Sequence, residues 1–206
     1  MDPVLLDPAA LSAGARYRLL ISVLVPRPIA WVTTQPGAGG PVNLAPFSFY
    51  AGISASPPLV GLGIGRRDGE PKDTTRNLLR TGEAVIHLVE LPDLEAVVAS
   101  SAELSPEESE VEALGLETAP SLRVGVPGLA RARVRLEARL HRHLEFGDGP
   151  VDFLVLEILA FRLAPELVNE AGHVREELLQ PVGRLGGSGY APVERRIQVE
   201  RPRSEA

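Results

Sequence analysis

The chain has 206 residues and a net charge of −6, with 44% hydrophobic and 23% charged residues. That is an ordinary soluble composition, long enough to bury about 70% of its surface without a metal or disulfide staple. The acidic excess argues against a nucleic-acid surface, whose affinity comes from Lys and Arg on phosphates, but leaves room for one small basic pocket. Cysteine is absent, which removes disulfides, thiolate catalysis and Cys-ligated zinc or iron–sulfur sites, so redox chemistry would need a bound cofactor. The opening MDPVLLDPAAL has no cationic region, and the longest apolar run, 19–26, is far short of the roughly 20 residues that span a bilayer. The expectation is a single cytoplasmic domain over 1–206 that engages no membrane.

In chain order, residues 8–25 read as a short helix and an extended lead-in, stopped by Pro26-Arg27-Pro28. Residues 29–34 (IAWVTT) are β-branched and aromatic, a strand signature, and QPGAGGP (35–41) is a turn. Residues 42–50 form an irregular extended segment broken by Pro46, and 59–65 (LVGLGIG) reads as a strand on whose backbone something packs closely. Asp73 or Thr74 is placed to cap a helix through Leu79 that Gly82 ends. Residues 84–89 are a strand, and 93–99 and 106–114 are helical, the second capped by Ser105. Over 131–146 apolar Ala132, Val134, Leu136, Ala138 and Leu140 alternate with charged neighbours, the period of a half-buried strand. Gly147-Asp148-Gly149-Pro150 then turns the chain into 151–163, apolar at nearly every position and buried on both faces. Strands that do not alternate regularly with helices predict a closed antiparallel barrel with helical insertions, mainly β with short helices. The last fifteen residues, from 192, read as a loose tail or an arm that orders on a partner subunit.

Two segments carry candidate chemistry. Residues 26–50 gather Trp31, Phe47, Phe49 and Tyr50 with Arg27, Asn43 and Ser48; backbone donors freed around Pro46 suit a planar, acceptor-rich ring, although a barrel edge with a Pro bulge has the same pattern. KDTTRN (72–77) sets the only lysine of the chain, two hydroxyls and an amide at a helix start, a ready phosphate site or an ordinary solvated cap. Other patterns weigh less. GLGIG (61–65) fails the dinucleotide fingerprint, with Arg66 in the final Gly position, and no G-x-S-x-G elbow accompanies the Ser, His and Asp residues. His141, His143 and Glu145 have metal-ligand spacing but share the expected strand face with Arg133, Arg135 and Arg139, so a solvated or inter-subunit face is the better reading. His87 reads as a core histidine, and no metal site is expected.

Taken together, Tyr17, PRPIAWVTT (26–34), NLAPFSF (43–49), PPLV (57–60), KDT (72–74) with Asn77, and PVGRLGG (181–187) with Tyr190 resemble the flavin reductase-like family of FMN-binding split barrels, flavoredoxins included. The resemblance implies a six-stranded antiparallel Greek-key split barrel, a homodimer, and one FMN per subunit near the dimer interface. It implies that Asn43, Leu44, Ala45, Ser48 and Phe49 line the flavin ring, with backbone N–H groups and Asn43 or Ser48 meeting its polar edge. Lys72, Thr74 and Asn77 would hold the phosphate, with Asp73 among the cofactor-binding residues. Arg27, beside Pro28, would reach the phosphate or ribityl chain, and Arg184 and Tyr190 would close the site. No side-chain acid or base is obligatory for hydride transfer to a flavin, so no catalytic residue is nominated. Members often carry Gly-Asp-His in the hairpin turn, where this chain has Gly147-Asp148-Gly149; that shifts the expectation from direct NAD(P)H use toward a flavoredoxin-like protein with another donor. The expected function is an FMN-dependent oxidoreductase passing hydride or electrons to a small-molecule or protein acceptor. The alternatives are a non-catalytic FMN carrier and a cofactor-free interaction barrel.

Overall fold

The computed structural model describes residues 3–200. Helix α1 (Ala13–Val23) is followed by strands β1 (Ala30–Thr34), β2 (Asn43–Phe47), β3 (Tyr50–Ala55) and β4 (Pro58–Gly65), then α2 (Asp73–Thr81) and β5 (Glu83–Leu88). Helices α3 (Leu94–Ala99) and α4 (Glu110–Ala113) and the two-residue strands β6 (Thr118–Ala119) and β7 (Gly128–Leu129) precede the long hairpin of β8 (Val134–Phe146) and β9 (Val151–Leu163). A small hairpin, β10 (Val182–Arg184) and β11 (Tyr190–Pro192), closes the series.

The main sheet runs β2-β1-β5-β8-β9-β4-β3, every pair antiparallel. Its two edge strands, β2 and β3, are consecutive in the chain and separated only by Ser48 and Phe49. A two-residue link between opposite edges forces the sheet to curl on itself. The resulting barrel is filled by Val32, Leu62, Ile64, Ile86, Leu154 and Leu156, contributed by strands from around the sheet. This is the expected split barrel, with seven strands in the sheet rather than six because Tyr50–Ala55 forms a strand of its own.

Alternation along β1 explains why all five of its residues are buried. Ala30 and Val32 point into the barrel, whereas Trp31 points outward into a second core with Leu44, Val97, Val111 and Leu129. Trp31 Nε1 donates to Ser100 Oγ at 2.8 Å. His87, outward on β5, is a core histidine as expected: Nδ1–H donates to the Trp31 carbonyl at 2.7 Å and Nε2 accepts from the Leu129 N–H at 2.9 Å. Burial pushes its pKa down to about 4.

Three local expectations are corrected. Helix α4 is a single turn capped by Ser109, not a helix from Pro106 capped by Ser105; the Ser109 hydroxyl also donates to the Val42 carbonyl just before β2, and that tertiary contact fixes where the helix starts. In β8, Glu137 is not solvated: residues 120–127 fold over that face, and the Glu137 carboxylate accepts the N–H groups of Leu122 and Arg123. The register slips between Leu140 and Arg142. The extra residue, His141, moves His143 and Glu145 to the barrel side, away from the arginines. His143 Nε2 there meets buried Asp152 at 2.9 Å, and Arg66 holds Asp152 at 2.8 Å and Glu145 at 2.8 Å. Although His143, Glu145 and Asp152 converge at ligand distances, the Arg66 guanidinium sits among them.

Gly61 and Gly63 behave as expected of close-packed backbone: a Cβ on Gly61 would lie 2.6 Å from Phe153 Cζ, and Phe49 crowds Gly63. Residues 193–200 have no regular structure, and the remainder of the expected tail lies outside the described residues.

Candidate flavin site

Helix α2 starts at Asp73 because Lys72 is its N-cap; Asp73 and Thr74 are the first helical residues rather than the cap. Lys72 has no acceptor in its side chain and caps nothing, so the leading N–H groups of α2 keep their donors. Gly82, in the left-handed conformation at φ 74°, ends the helix by donating to the Leu78 carbonyl. Four polar side chains lock the start of α2 to the barrel. Asn43 Nδ2 donates to Thr74 Oγ1 at 3.0 Å and to Thr34 Oγ1 at 3.3 Å, and Asn77 Nδ2 donates to Thr34 Oγ1 at 3.1 Å. Because Thr74 Oγ1 accepts from Asn43, its own hydrogen is free to donate outward.

A cleft of about 360 Å³ lies in front of this helix start, with Asn43, Ala45 and Pro46 on one wall and Lys72 and Thr74 on the other. Its cations are mostly neutralised: Arg67 pairs with Glu103 at 2.7 Å, and Arg76 pairs with Asp73. Among the described residues, the Lys72 ammonium forms no salt bridge. A free ammonium, a free hydroxyl and the leading N–H groups of α2 fit a phosphate dianion.

Pro46 and Phe47 carry this wall into a second hollow with Ser48, Arg184 and Tyr190. The Arg184 guanidinium lies 4.4 Å from the Tyr190 ring centroid. A third hollow, almost wholly apolar, runs past Ser48, Phe49, Tyr50 and Phe153 beside Arg27. Flat apolar walls flanking a polar strand edge fit a tricyclic ring.

The expected residues thus divide. Lys72, Asp73, Thr74, Asn43 and Ala45 share the first cleft, while Ser48 and Arg184 line the second hollow. Asn77 is turned inward onto Thr34, and Pro28 is exposed without lining any of these hollows. Two expectations are corrected outright. Arg27 does not reach for phosphate: Nη1 donates to the carbonyls of Ile21 at 2.7 Å and Leu24 at 2.6 Å, and Nη2 to that of Leu185 at 3.0 Å. It staples the end of α1 to the β10–β11 hairpin. The Leu44 N–H is not open to a ring either, because it donates to Glu110 Oε2 at 2.8 Å, and Pro46 has no N–H to give. Glu110 also lines the first cleft and was not singled out by sequence reading. Burial, helped by Asp73, raises its carboxyl above the usual range against the lowering effect of the Leu44 N–H.

The fold is that of the flavin reductase and flavoredoxin split barrels. The chain belongs to the flavin reductase like domain family, whose model matches residues 22–178. It is similar to nitrilotriacetate monooxygenase component B from Bacillus cereus, with 32% identity and a TM-score of 0.91 over 97% of this chain and 100% of that one. It is also similar to the 2-nitrobenzoate 2-nitroreductase of Pseudomonas fluorescens, with 29% identity and a TM-score of 0.88 over 97% and 96%. An uncharacterized protein of Halalkalibacterium halodurans is 45% identical over 202 residues, 96% of each chain. The solved neighbours include oxidoreductases such as the monooxygenase component and the nitroreductase, and also flavoredoxins and an FMN-binding protein. Among the described residues, no helix is long and apolar enough to cross a membrane.

Proposed function

We propose that this chain binds FMN and acts as an FMN-dependent oxidoreductase, passing hydride or electrons from a reduced donor to a small-molecule or protein acceptor. The observation that carries this reading is the uncapped start of α2, where Lys72, Thr74 and backbone N–H groups offer donors to a cleft that continues along β2, with the Asp73 carboxylate taken up by Arg76. FMN ends in one phosphate, and this donor set matches one phosphate. When bound, the flavin supplies the two-electron chemistry, and the protein supplies binding and orientation. Lys72 and Thr74 hold the phosphate, Asn43 aims the Thr74 hydroxyl, the Pro46–Phe49 segment bounds the ring, and Arg184 on Tyr190 narrows the second hollow.

The working unit in this reading is a homodimer with the flavin near the interface. Support comes from α1, which has no buried residue and exposes Tyr17, Leu20 and Val23, with Leu24 beyond its end and Ile53 on edge strand β3. Apolar surface of this extent is unusual on a monomer. For the donor, Gly149 places no ring beside the barrel mouth, which favours a reductant other than NAD(P)H. The test is the anaerobic visible spectrum of the FMN-loaded protein: bleaching by NADH assigns a nicotinamide donor, whereas bleaching only by a chemical reductant supports the flavoredoxin-like reading. A protein that cannot pass electrons onward to any artificial acceptor would be a carrier.

A further inference from the structure

We propose that Glu110 is a flavin-binding residue, whose carboxylate accepts hydrogen bonds from the hydroxyl groups of the polyol that joins the flavin ring to its phosphate. This rests on the flavin reading above and assigns a part of the ligand that none of the other residues addresses.

The placement follows from the order of groups along β2. Asn43 holds Thr74 at the phosphate end. Pro46 lines both the first cleft and the second hollow, so it marks the passage toward the ring end. Asn43 to Pro46 spans about 10 Å at strand rise, the reach of a short polyol phosphate. Within that interval the outer edge of β2 offers no free donor, since Leu44 is bonded to Glu110 and Pro46 has no N–H. A polyol brings donors, and it needs acceptors.

Glu110 is held ready for this. Ser109 Oγ donates to the Val42 carbonyl at 2.7 Å, Leu44 donates to Glu110 Oε2, and Val111 is buried in the outer core beside Leu44. One turn of helix therefore holds Val42, just before β2, and Leu44, within it, and fixes the carboxylate at the wall of the cleft. Among the described residues, the carboxylate accepts from the Leu44 N–H and from its own backbone N–H, and its two oxygens keep further lone pairs for an incoming donor. A carboxylate that only completed a sheet edge would have no reason to line the same cleft as Lys72.

Three flavins separate the possibilities: FMN, riboflavin, which lacks the phosphate, and lumiflavin, which lacks the polyol as well. Dissociation constants are measured by fluorescence quenching on wild type, Glu110→Ala and Glu110→Gln. The expected result is that Glu110→Ala weakens FMN and riboflavin together by about tenfold and leaves lumiflavin unchanged. Glu110→Gln, which keeps a neutral acceptor, produces a smaller loss with the same selectivity, and it carries the comparison if the alanine variant is unstable. Equal weakening of all three flavins would make Glu110 a structural clamp on β2 and overturn the proposal, as would no change in any. Wild type that binds none of the three would overturn the flavin reading itself, a result distinct from unselective weakening.

Discussion

Replacing Lys72 by Ala isolates the phosphate assignment. The ammonium is half-buried beside the start of α2 and has no carboxylate partner among the described residues, so its removal strands no buried charge and should leave folding intact. Against a phosphate dianion, one charge-assisted contact contributes about 1.5–3 kcal/mol, or ten- to a hundredfold in affinity. Partial solvent exposure pulls the value toward the lower end. Because riboflavin lacks the phosphate, K72A should weaken FMN about tenfold and leave riboflavin within about twofold. Lys72→Arg should recover part of the loss. The gap should also shrink below about pH 6, where a phosphomonoester loses its second charge. Isothermal titration with both flavins at pH 7.5 and pH 5 gives all four numbers. Equal weakening of FMN and riboflavin, or a gap that is independent of pH, would refute the placement of the phosphate at Lys72.

Arg66→Ala should leave the Asp152 carboxylate buried without its main partner; burial alone would raise that carboxyl, and Arg66 with His143 holds it below the usual range. The expected cost is about 3 kcal/mol, read as a lower urea midpoint, and Arg66→Met with Asp152→Leu together should recover most of it. His87, with a folded pKa of about 4 against an ordinary 6.5, remains neutral in the native state while the unfolded chain takes up a proton. Its contribution is fully present above pH 6.5 and is lost as pH falls toward 4, about 3 kcal/mol in all. In H87L, less stable at neutral pH, that acid limb should flatten; an unchanged limb would assign it to other groups. Arg27→Met should release α1 from the β10–β11 hairpin, seen as faster amide exchange in residues 13–24, while K72A should not.

How much of this was readable beforehand depended on which physical signal each segment carried. The strand at 151–163 was legible to the residue because nearly every position is apolar, and β1 because its β-branched and aromatic run sits between proline and glycine punctuation. Strand β3 was not, since Ala51, Gly52, Ser54 and Ala55 have no strand propensity and the strand exists through its pairing with β4. The bulge at His141 left no mark in the alternation that precedes it, so the side of the barrel on which His143 lies had to come from register. Lys72 and Thr74 stood out as a lone lysine and a hydroxyl at a helix start. Arg27 looked equally suited to an anion, but one of the three carbonyls that claim it, that of Leu185, lies 158 residues away in the sequence. Glu110 was one glutamate among several in an acidic stretch, and only the edge of β2 distinguishes it.

The most direct test of the central claim is the visible spectrum of the purified full-length protein, before and after incubation with excess FMN and removal of free flavin. The account predicts a yellow protein with bands near roughly 370 and 450 nm, one flavin per chain, and loss of the retained flavin in the Lys72→Ala, Thr74→Val double variant. A preparation that stays colourless after loading would contradict it.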